Sequence, residues 1–239
     1  MPRLRTSDVL WVALDLPSLD EAKRIAGLVA ERVAGFKVGL ELFSGYGPKA
    51  VREIGRFGRV FLDLKLHDIP NTVARAVAQV AELGVEYLTV HAFGGRAMLE
   101  AARGKAQELA DRGFKAPRLL AVTVLTSLFT TDLLEMGVER GPKDLVLSLA
   151  RLAAECGLDG VVASAQECRE IKRAVGRSMI VATPGIRPEG FSKGDQKRVV
   201  TPKKAVAAGA DLIIVGRPVV QAEDPLDVID GIESELTSP

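Results

Sequence analysis

The chain has 239 residues, of which 47% are hydrophobic and 26% are charged, and its formal net charge is +1. This composition is typical of a globular domain, and the near-neutral charge argues against a surface that attracts nucleic acid or an anionic membrane. The longest apolar runs, such as residues 119–122, are too short to span a bilayer, and no apolar signal-peptide segment precedes the first strand pattern.

Strand and helix patterns alternate along the chain without an intervening linker. Short apolar segments bounded by turn residues predict strands at 9–15, 35–40, 60–66, 86–91, 118–125, 160–163, 179–182 and 211–215. Helical patterns follow at 18 onward, 48–57, 73–83, 96–112, 144–156, 166–175, 202–208 and 225–235. Ser18 and Glu21 form the pattern of a capping box at the first of these helices. The stretch between residues 126 and 143 is irregular and has room for one short helix.

This alternation predicts an α/β fold with a parallel sheet. Eight strand–helix units in about 250 residues fit a closed (β/α)8 TIM barrel, so we predict a single barrel domain over residues 1–239. A doubly wound open sheet is the alternative. It is disfavoured because Asp15-Leu16-Pro17-Ser18 follows the first strand, where a dinucleotide-binding fold carries a glycine-rich turn.

The third predicted strand carries charged residues on one face. Side chains alternate with period two, so Asp63 and Lys65 share a face opposite the apolar positions Val60, Leu62, Leu64 and Leu66. Asp68 follows three residues later. Buried charge is costly unless it is paired, so an acid, a base and a second acid at this strand end favour a catalytic site. A structural ion pair, with Asp68 capping the next helix, is the alternative.

In a TIM barrel the active site lies at the carboxyl ends of the strands. The polar residues predicted to collect there are Asp15, Lys37, Asp63, Lys65, Asp68, His91, Thr126, Arg187, Gly216 and Arg217. Lys37 lies in a short strand that cannot easily expose it, although a snorkelling surface lysine is the alternative. For His91 a satisfied core histidine is the favoured interpretation.

The last two strands carry a phosphate-binding pattern. Gly216-Arg217-Pro218 leads from the eighth strand into a helix, where glycine permits close approach and arginine adds a bidentate cation. The loop after the seventh strand is rich in glycine and polar residues, as a closing lid is. We therefore predict a phosphate-closing loop around residues 183–200, with a plain surface loop as the alternative.

Several motifs together carry a family resemblance. They are Ala13-Leu14-Asp15, Phe36-Lys37-Val38-Gly39, residues 63–72, His91-Ala92-Phe93-Gly94-Gly95, Leu125-Thr126-Ser127, Thr183-Pro184-Gly185-Ile186-Arg187-Pro188, Gly194-Asp195-Gln196 and Val215-Gly216-Arg217-Pro218. With these motifs, which run from end to end, the chain resembles the bacterial orotidine 5′-phosphate decarboxylase family. The Asp-x-Lys-x-x-Asp pattern alone is shared with related sugar-phosphate enzymes. Its continuation to Thr72 and the Pro-Gly-Ile-Arg loop are more specific.

The resemblance implies decarboxylation of orotidine 5′-phosphate to uridine 5′-phosphate, the last step of de novo pyrimidine synthesis, without cofactor or metal. It implies that Lys65 protonates C6 within a network of Lys37, Asp63, Lys65 and Asp68. It also implies a homodimer with shared active sites, in which Asp68 reaches in from the second subunit. The other implied contacts are Asp15, Lys37 and Thr72 to the ribose, Thr126, alone or together with Ser127, to the pyrimidine, and Arg187, Gln196, Gly216 and Arg217 to the phosphate.

Two other functions remain open from the residues. A related barrel acting on a ketohexulose or ketogulonate phosphate would hold a divalent metal ion near the acidic strand ends. A catalytically inactive phosphate-binding barrel is the alternative outside enzymes, although binding alone does not require a lysine aimed at a reacting carbon. Cys156 and Cys168 lie in no metal-binding or redox motif, so we predict free packing thiols in a cytoplasmic protein.

Overall fold

A computed structural model describes residues 4–188 and 200–238. Eight parallel strands pair in chain order, and β1 also pairs with β8, so the sheet closes into a barrel. The strands are β1 Leu10–Ala13, β2 Gly35–Val38, β3 Val60–Leu66, β4 Tyr87–His91, β5 Arg118–Val122, β6 Gly160–Val162, β7 Ile180–Thr183 and β8 Leu212–Val215. The predicted (β/α)8 barrel is confirmed.

Helices follow each strand and surround the barrel. The α-helices are α1 Thr6–Val9, α2 Leu19–Val29, α3 Leu40–Tyr46, α4 Pro48–Ile54, α5 Pro70–Ala81, α6 Gly95–Asp111, α7 Thr130–Glu135, α8 Pro142–Glu155, α9 Cys168–Val175, α10 Pro202–Ala208, α11 Arg217–Val220 and α12 Pro225–Thr237. Single 3-10 turns cover Ala30–Arg32 and Ala92–Gly94. The described part of the chain contains no helix with both the length and the apolar character needed to cross a bilayer.

Several element boundaries differ from the prediction. The second strand stops at Val38 instead of residue 40, because Gly39 caps the unpredicted helix α3. Helix α5 begins three residues early, at Pro70, since proline has no N–H to lose in a first turn. The predicted capping box is only half formed: Ser18 accepts from the Glu21 N–H at 3.3 Å, but the Glu21 carboxylate binds Arg24 instead.

The core has two layers, because side chains of alternate strand residues point into and out of the barrel. The outer layer lies between strands and helices, and Leu62 and Leu88 belong to it. The inner layer fills the barrel and consists of Trp11, Ala13, Ala34, Phe61, Tyr87, Leu120, Ala182, Leu212 and Ile214. The inner layer closes the lower part of the barrel and leaves the charged residues at its mouth.

Three aromatic rings fill the lower part of this inner layer. Trp11 makes edge-to-face contacts with Phe61 and Tyr87, at centroid distances of 6.0 and 5.3 Å. The Arg59 guanidinium stacks on the Trp11 ring at 5.3 Å. Gly35 makes room for the indole, since a Cβ there would lie 2.6 Å from it. The barrel is therefore plugged by side chains at the end opposite the charged residues.

The two cysteines are free and buried, as predicted. Burial raises the pKa of the Cys168 thiol to about 11. Its Sγ lies 3.4 Å from the Thr183 hydroxyl and makes no contact with the charged mouth of the barrel. The thiol therefore stays protonated and acts as a packing group.

Candidate active site

Strand β3 is irregular where it carries its charged residues. Leu62 pairs with Leu88, but the next pair is Leu66 with Val90, so β3 advances four residues while β4 advances two. Within this bulge Lys65 has a φ of 51°, the only positive φ of a non-glycine residue among those described. Such a backbone costs about 1–3 kcal/mol and persists only where its surroundings enforce it. The bulge therefore marks β3 as a functional strand.

Four charged side chains form an alternating network at the mouth of the barrel: Asp15, Lys37, Asp63 and Lys65. Lys65 Nζ lies 2.8 Å from Asp63 Oδ2, and Lys37 Nζ lies 3.6 Å from the same oxygen. Lys37 Nζ also donates to both oxygens of Asp15, at 2.9 and 3.1 Å. Each lysine thus has a carboxylate partner, which offsets the cost of removing its charge from water.

The network determines the ionisation of Asp63. Burial raises the pKa of this carboxyl, but the charges of Lys37 and Lys65, with hydrogen bonds from Lys65 and Thr89, outweigh burial and lower the pKa below its ordinary value. Asp63 is therefore ionised at neutral pH.

Gly39 is required for this arrangement. A Cβ at this position would collide with the Asp15 carboxylate and lie 2.8 Å from Lys37 Nζ. The glycine in Phe36-Lys37-Val38-Gly39 therefore has a physical role: it leaves room for the Asp15–Lys37 pair above the end of β2.

A cavity of about 370 Å³ opens above the network. Its lining contains Asp15, Lys37, Asp63 and Lys65 together with the predicted pyrimidine contact Thr126 and apolar residues that include Val162 and Ile214. A cavity lined by both charged and apolar groups can hold a flat polar ring and place one of its edges against Lys65.

A second cavity, of about 550 Å³, adjoins the first and shares Asp15 and Lys37 with it. Its lining includes three residues predicted to bind phosphate, Arg187, Gly216 and Arg217. Arg187 is buried, and its Nη1 donates to the Ile186 carbonyl at 2.9 Å, which orients the guanidinium. The second cavity therefore holds the positive charge that binding of a phosphate group would require.

Three predicted site residues are not brought into these cavities. Asp68 is exposed, lines neither cavity, and accepts a hydrogen bond from the Ile69 N–H at 2.6 Å. It does not cap α5, whose N-cap is Ile69. Thr72 lies in the first turn of α5 and lines neither cavity. Gln196 lies outside the described residues, as does most of the predicted phosphate-closing loop.

His91 is half-buried at the end of β4 and is not a core residue. Its Nδ1 accepts a hydrogen bond from the Phe93 N–H at 3.4 Å, and its ring stacks on His67 with centroids 5.3 Å apart. Burial, followed by the charges of His67 and Lys65, lowers the pKa of His91 to about 4. The ring is therefore neutral at physiological pH.

Sequence reasoning missed two residues of the site. Glu41, at the start of α3, lines both cavities. Thr89 is fully buried below Asp63, and its hydroxyl donates to Asp63 Oδ1 at 2.9 Å. Period-two alternation along β4 places Thr89 inside the barrel, and a polar residue at that depth is the signal that could have identified it.

The closed parallel barrel and the paired acids and lysines at its mouth define a class: a TIM-barrel enzyme that acts on a phosphorylated substrate by charge stabilisation and proton transfer. Residues 8–232 match the family model described as "Orotidine 5′-phosphate decarboxylase / HUMPS family". The chain belongs to this family.

Individual proteins similar to this chain match it over nearly its whole length. The chain is 48% identical to an orotidine 5′-phosphate decarboxylase of Enterobacter sp. (strain 638), over 98% of this chain and 94% of that protein. It is 47% identical to the Klebsiella pneumoniae (strain 342) protein of the same name, over 98% and 95%. The crystal structure of orotidine 5′-phosphate decarboxylase from Lactobacillus acidophilus superposes with a TM-score of 0.82 at 35% identity, covering 97% of this chain and 100% of that one.

Proposed function

We propose that this protein converts orotidine 5′-phosphate to uridine 5′-phosphate and CO2, the last step of de novo pyrimidine synthesis, in the cytoplasm. The observation that carries the proposal is the alternating network of Asp15, Lys37, Asp63 and Lys65 beside a second cavity lined by Arg187 and Arg217. The network supplies a cation at the reacting carbon, and the arginines supply binding energy at the distant phosphate.

In the proposed reaction the bond between C6 and the carboxylate breaks, CO2 leaves, and the electron pair remains on C6. Lys65 stabilises this developing negative charge and then transfers an Nζ proton to C6. Asp63 accepts a hydrogen bond from Lys65 Nζ at 2.8 Å, which holds the ammonium in place before the transfer. The negative charge of Asp63 also lies near the position of the substrate carboxylate, which favours its departure.

The remaining contacts position the nucleotide. Asp15 and Lys37 face both cavities and are suited to bind the ribose hydroxyl groups between ring and phosphate. In this proposal Thr126 binds the pyrimidine, and Arg187, Gly216 and Arg217 bind the phosphate. Gln196 is assigned to the phosphate by family resemblance alone. The phosphate lies at a distance from the reacting carbon, and the energy of binding it can orient the ring against Lys65.

We further propose a homodimer in which Asp68 and Thr72 complete the site of the partner. Asp68 is exposed and forms no ion pair with a described residue of its own chain, and the adjacent Ile69 is 68% exposed. An acid beside an exposed apolar side chain is suited to an interface between two copies. The partner's Asp68 would then add a second carboxylate beside Lys65.

The direct test is to mix purified protein with orotidine 5′-phosphate, follow the loss of substrate absorbance, and identify uridine 5′-phosphate as the product. Activity is expected to persist after EDTA treatment, because Asp63 Oδ2 is already occupied by two lysines. Loss of activity in EDTA with recovery in magnesium would favour the metal-dependent sugar-phosphate alternative. Absence of product, with the nucleotide still bound, would favour the inactive binding barrel.

A further inference from the structure

Thr89 occupies the point where hydrogen bonding between β3 and β4 is interrupted. The two regular pairs on either side are Leu62 with Leu88 and Leu66 with Val90, so Thr89 alone on β4 faces the three bulged residues of β3. A bulge leaves backbone groups without a ladder partner, and buried groups of this kind are costly. The side chain of Thr89 takes the place of that partner.

The Thr89 hydroxyl makes two hydrogen bonds to the functional strand. It accepts from the Lys65 backbone N–H at 2.8 Å and donates to Asp63 Oδ1 at 2.9 Å. A hydroxyl has one proton, so with Lys65 as donor its own proton is directed to Asp63. Thr89 is 0% exposed, and its β-branched side chain has few rotamers, so the hydroxyl is held in place.

The two oxygens of the Asp63 carboxylate have different partners. Oδ1 faces Thr89, whereas Oδ2 faces Lys65 Nζ at 2.8 Å and Lys37 Nζ at 3.6 Å. Rotation of the carboxylate would break the hydroxyl bond and would move Oδ2 away from the lysines. The same hydroxyl holds the Lys65 backbone at its positive φ, which sets the direction from which Nζ leaves the strand.

We propose that Thr89 is a positioning residue, whose hydroxyl fixes both the Asp63 carboxylate and the strained backbone of Lys65 in the geometry that decarboxylation requires. This inference rests on the proposed function. Thr89 lines neither cavity, so it acts through Asp63 and Lys65 and does not contact the substrate.

The test compares Thr89→Val, which keeps the shape and removes the hydroxyl, with Thr89→Ser, which keeps the hydroxyl. The valine variant is expected to lose at least about tenfold in kcat, while the Kd for uridine 5′-phosphate changes less than about threefold. The serine variant is expected to recover most of kcat. Should the valine variant fail to fold, Thr89→Ala provides the same comparison with serine.

Thr123→Val is the matched control. Thr123 is also 0% exposed, and its hydroxyl donates to the Val162 carbonyl at 2.9 Å, away from the charged network. Its removal is expected to lower the melting temperature to a similar extent while kcat stays within about threefold of wild type. A comparable kcat loss in Thr123→Val would show that any buried hydroxyl matters equally, and would overturn the special role of Thr89.

A second measurement needs no turnover. The hydrogen bond from Thr89 is one of the contributions that lower the pKa of Asp63, so its loss must move this pKa upward. A ¹³C NMR titration of the Asp63 carboxyl is expected to show the shift in Thr89→Val, and the acid limb of kcat is expected to move to higher pH with it.

An unchanged Asp63 titration in Thr89→Val, or equal losses of kcat in the valine and serine variants, would overturn the inference. A failure of the proposed function would be recognised by a different observation. Wild-type protein would then not decarboxylate orotidine 5′-phosphate, while the NMR titration would still decide whether Thr89 controls Asp63.

Discussion

Lys65 and Asp63 are two residues apart on β3, and their side chains meet at 2.8 Å even though the backbone of Lys65 has left the strand conformation, with a φ of 51°. In a regular strand, alternate side chains point the same way but lie about 7 Å apart at the backbone. The bulge therefore aims the ammonium while the carboxylate anchors it, and their contact is built into the backbone of a single strand.

Replacement of Lys65 by alanine tests the proton donor. Lys65→Ala is expected to reduce kcat by at least about 10²-fold, because general acid catalysis and charge stabilisation are lost together. Binding of uridine 5′-phosphate should remain measurable by calorimetry, since the ammonium acts mainly as charge develops. Lys23→Ala, which removes a partly exposed lysine from a surface pair with Asp20, is the control. Turnover within about tenfold of wild type would exclude Lys65 as the donor.

Arg217 tests the phosphate cavity. Arg217→Ala is expected to weaken uridine 5′-phosphate binding by about 2–4 kcal/mol, because a charge-assisted bond to the phosphate is lost. Uridine, which lacks the phosphate, should bind almost equally to both proteins. Arg173→Ala, on the exposed surface of α9, controls for the loss of a positive charge. Equal losses for nucleotide and nucleoside would remove Arg217 from the phosphate site.

The chain has two histidines, so the titration of His91 can be measured directly. Its pKa of about 4 lies below the ordinary value of 6.5, so between these pH values the unfolded chain binds a proton that the native protein does not. Stability is therefore expected to fall as pH decreases from 6.5 to 4, and less so in His91→Gln. NMR should show a histidine signal with a midpoint near 4, absent from the variant. A midpoint near 6.5 would contradict the burial of His91.

The shared site can be tested by complementation. Lys65→Ala and Asp68→Ala homodimers should each be nearly inactive. Unfolded, mixed equally and refolded, they form about half mixed dimers, each with one site that has both residues intact. The mixture is then expected to recover about a quarter of wild-type activity. If Asp68 serves its own barrel, every site lacks one residue. No recovery, with subunit exchange confirmed by mass spectrometry, would sink the shared-site proposal.

The sequence was sufficient to predict the barrel and the grouping of four charged residues at its mouth. Strict strand–helix alternation allows few architectures. In a barrel the carboxyl ends of the strands lie together, so Asp15, Lys37, Asp63 and Lys65 could be grouped from the sequence alone. Their positions at the ends of predicted strands were enough for this grouping, because closure of the sheet determines which strands are neighbours.

The bulge in β3 could not be predicted from the sequence. Alternation treats a strand as regular, and nothing in Asp63-Leu64-Lys65 indicates a positive φ at a lysine, a conformation that its own propensity opposes. The role of Thr89 depends on that bulge and was missed with it. Helix α3 was missed because the predicted second strand ran through Gly39 to residue 40, whereas Gly39 caps the next helix.

Trp11, the only tryptophan in the chain, is fully buried against Phe61 and Tyr87 at the closed end of the barrel. Excitation at 295 nm therefore reports on one place, the inner layer of the core beneath the charged network. Intrinsic emission should be blue-shifted in the native state and should move to longer wavelength only when the strands separate. The protein thus carries its own optical probe of global unfolding.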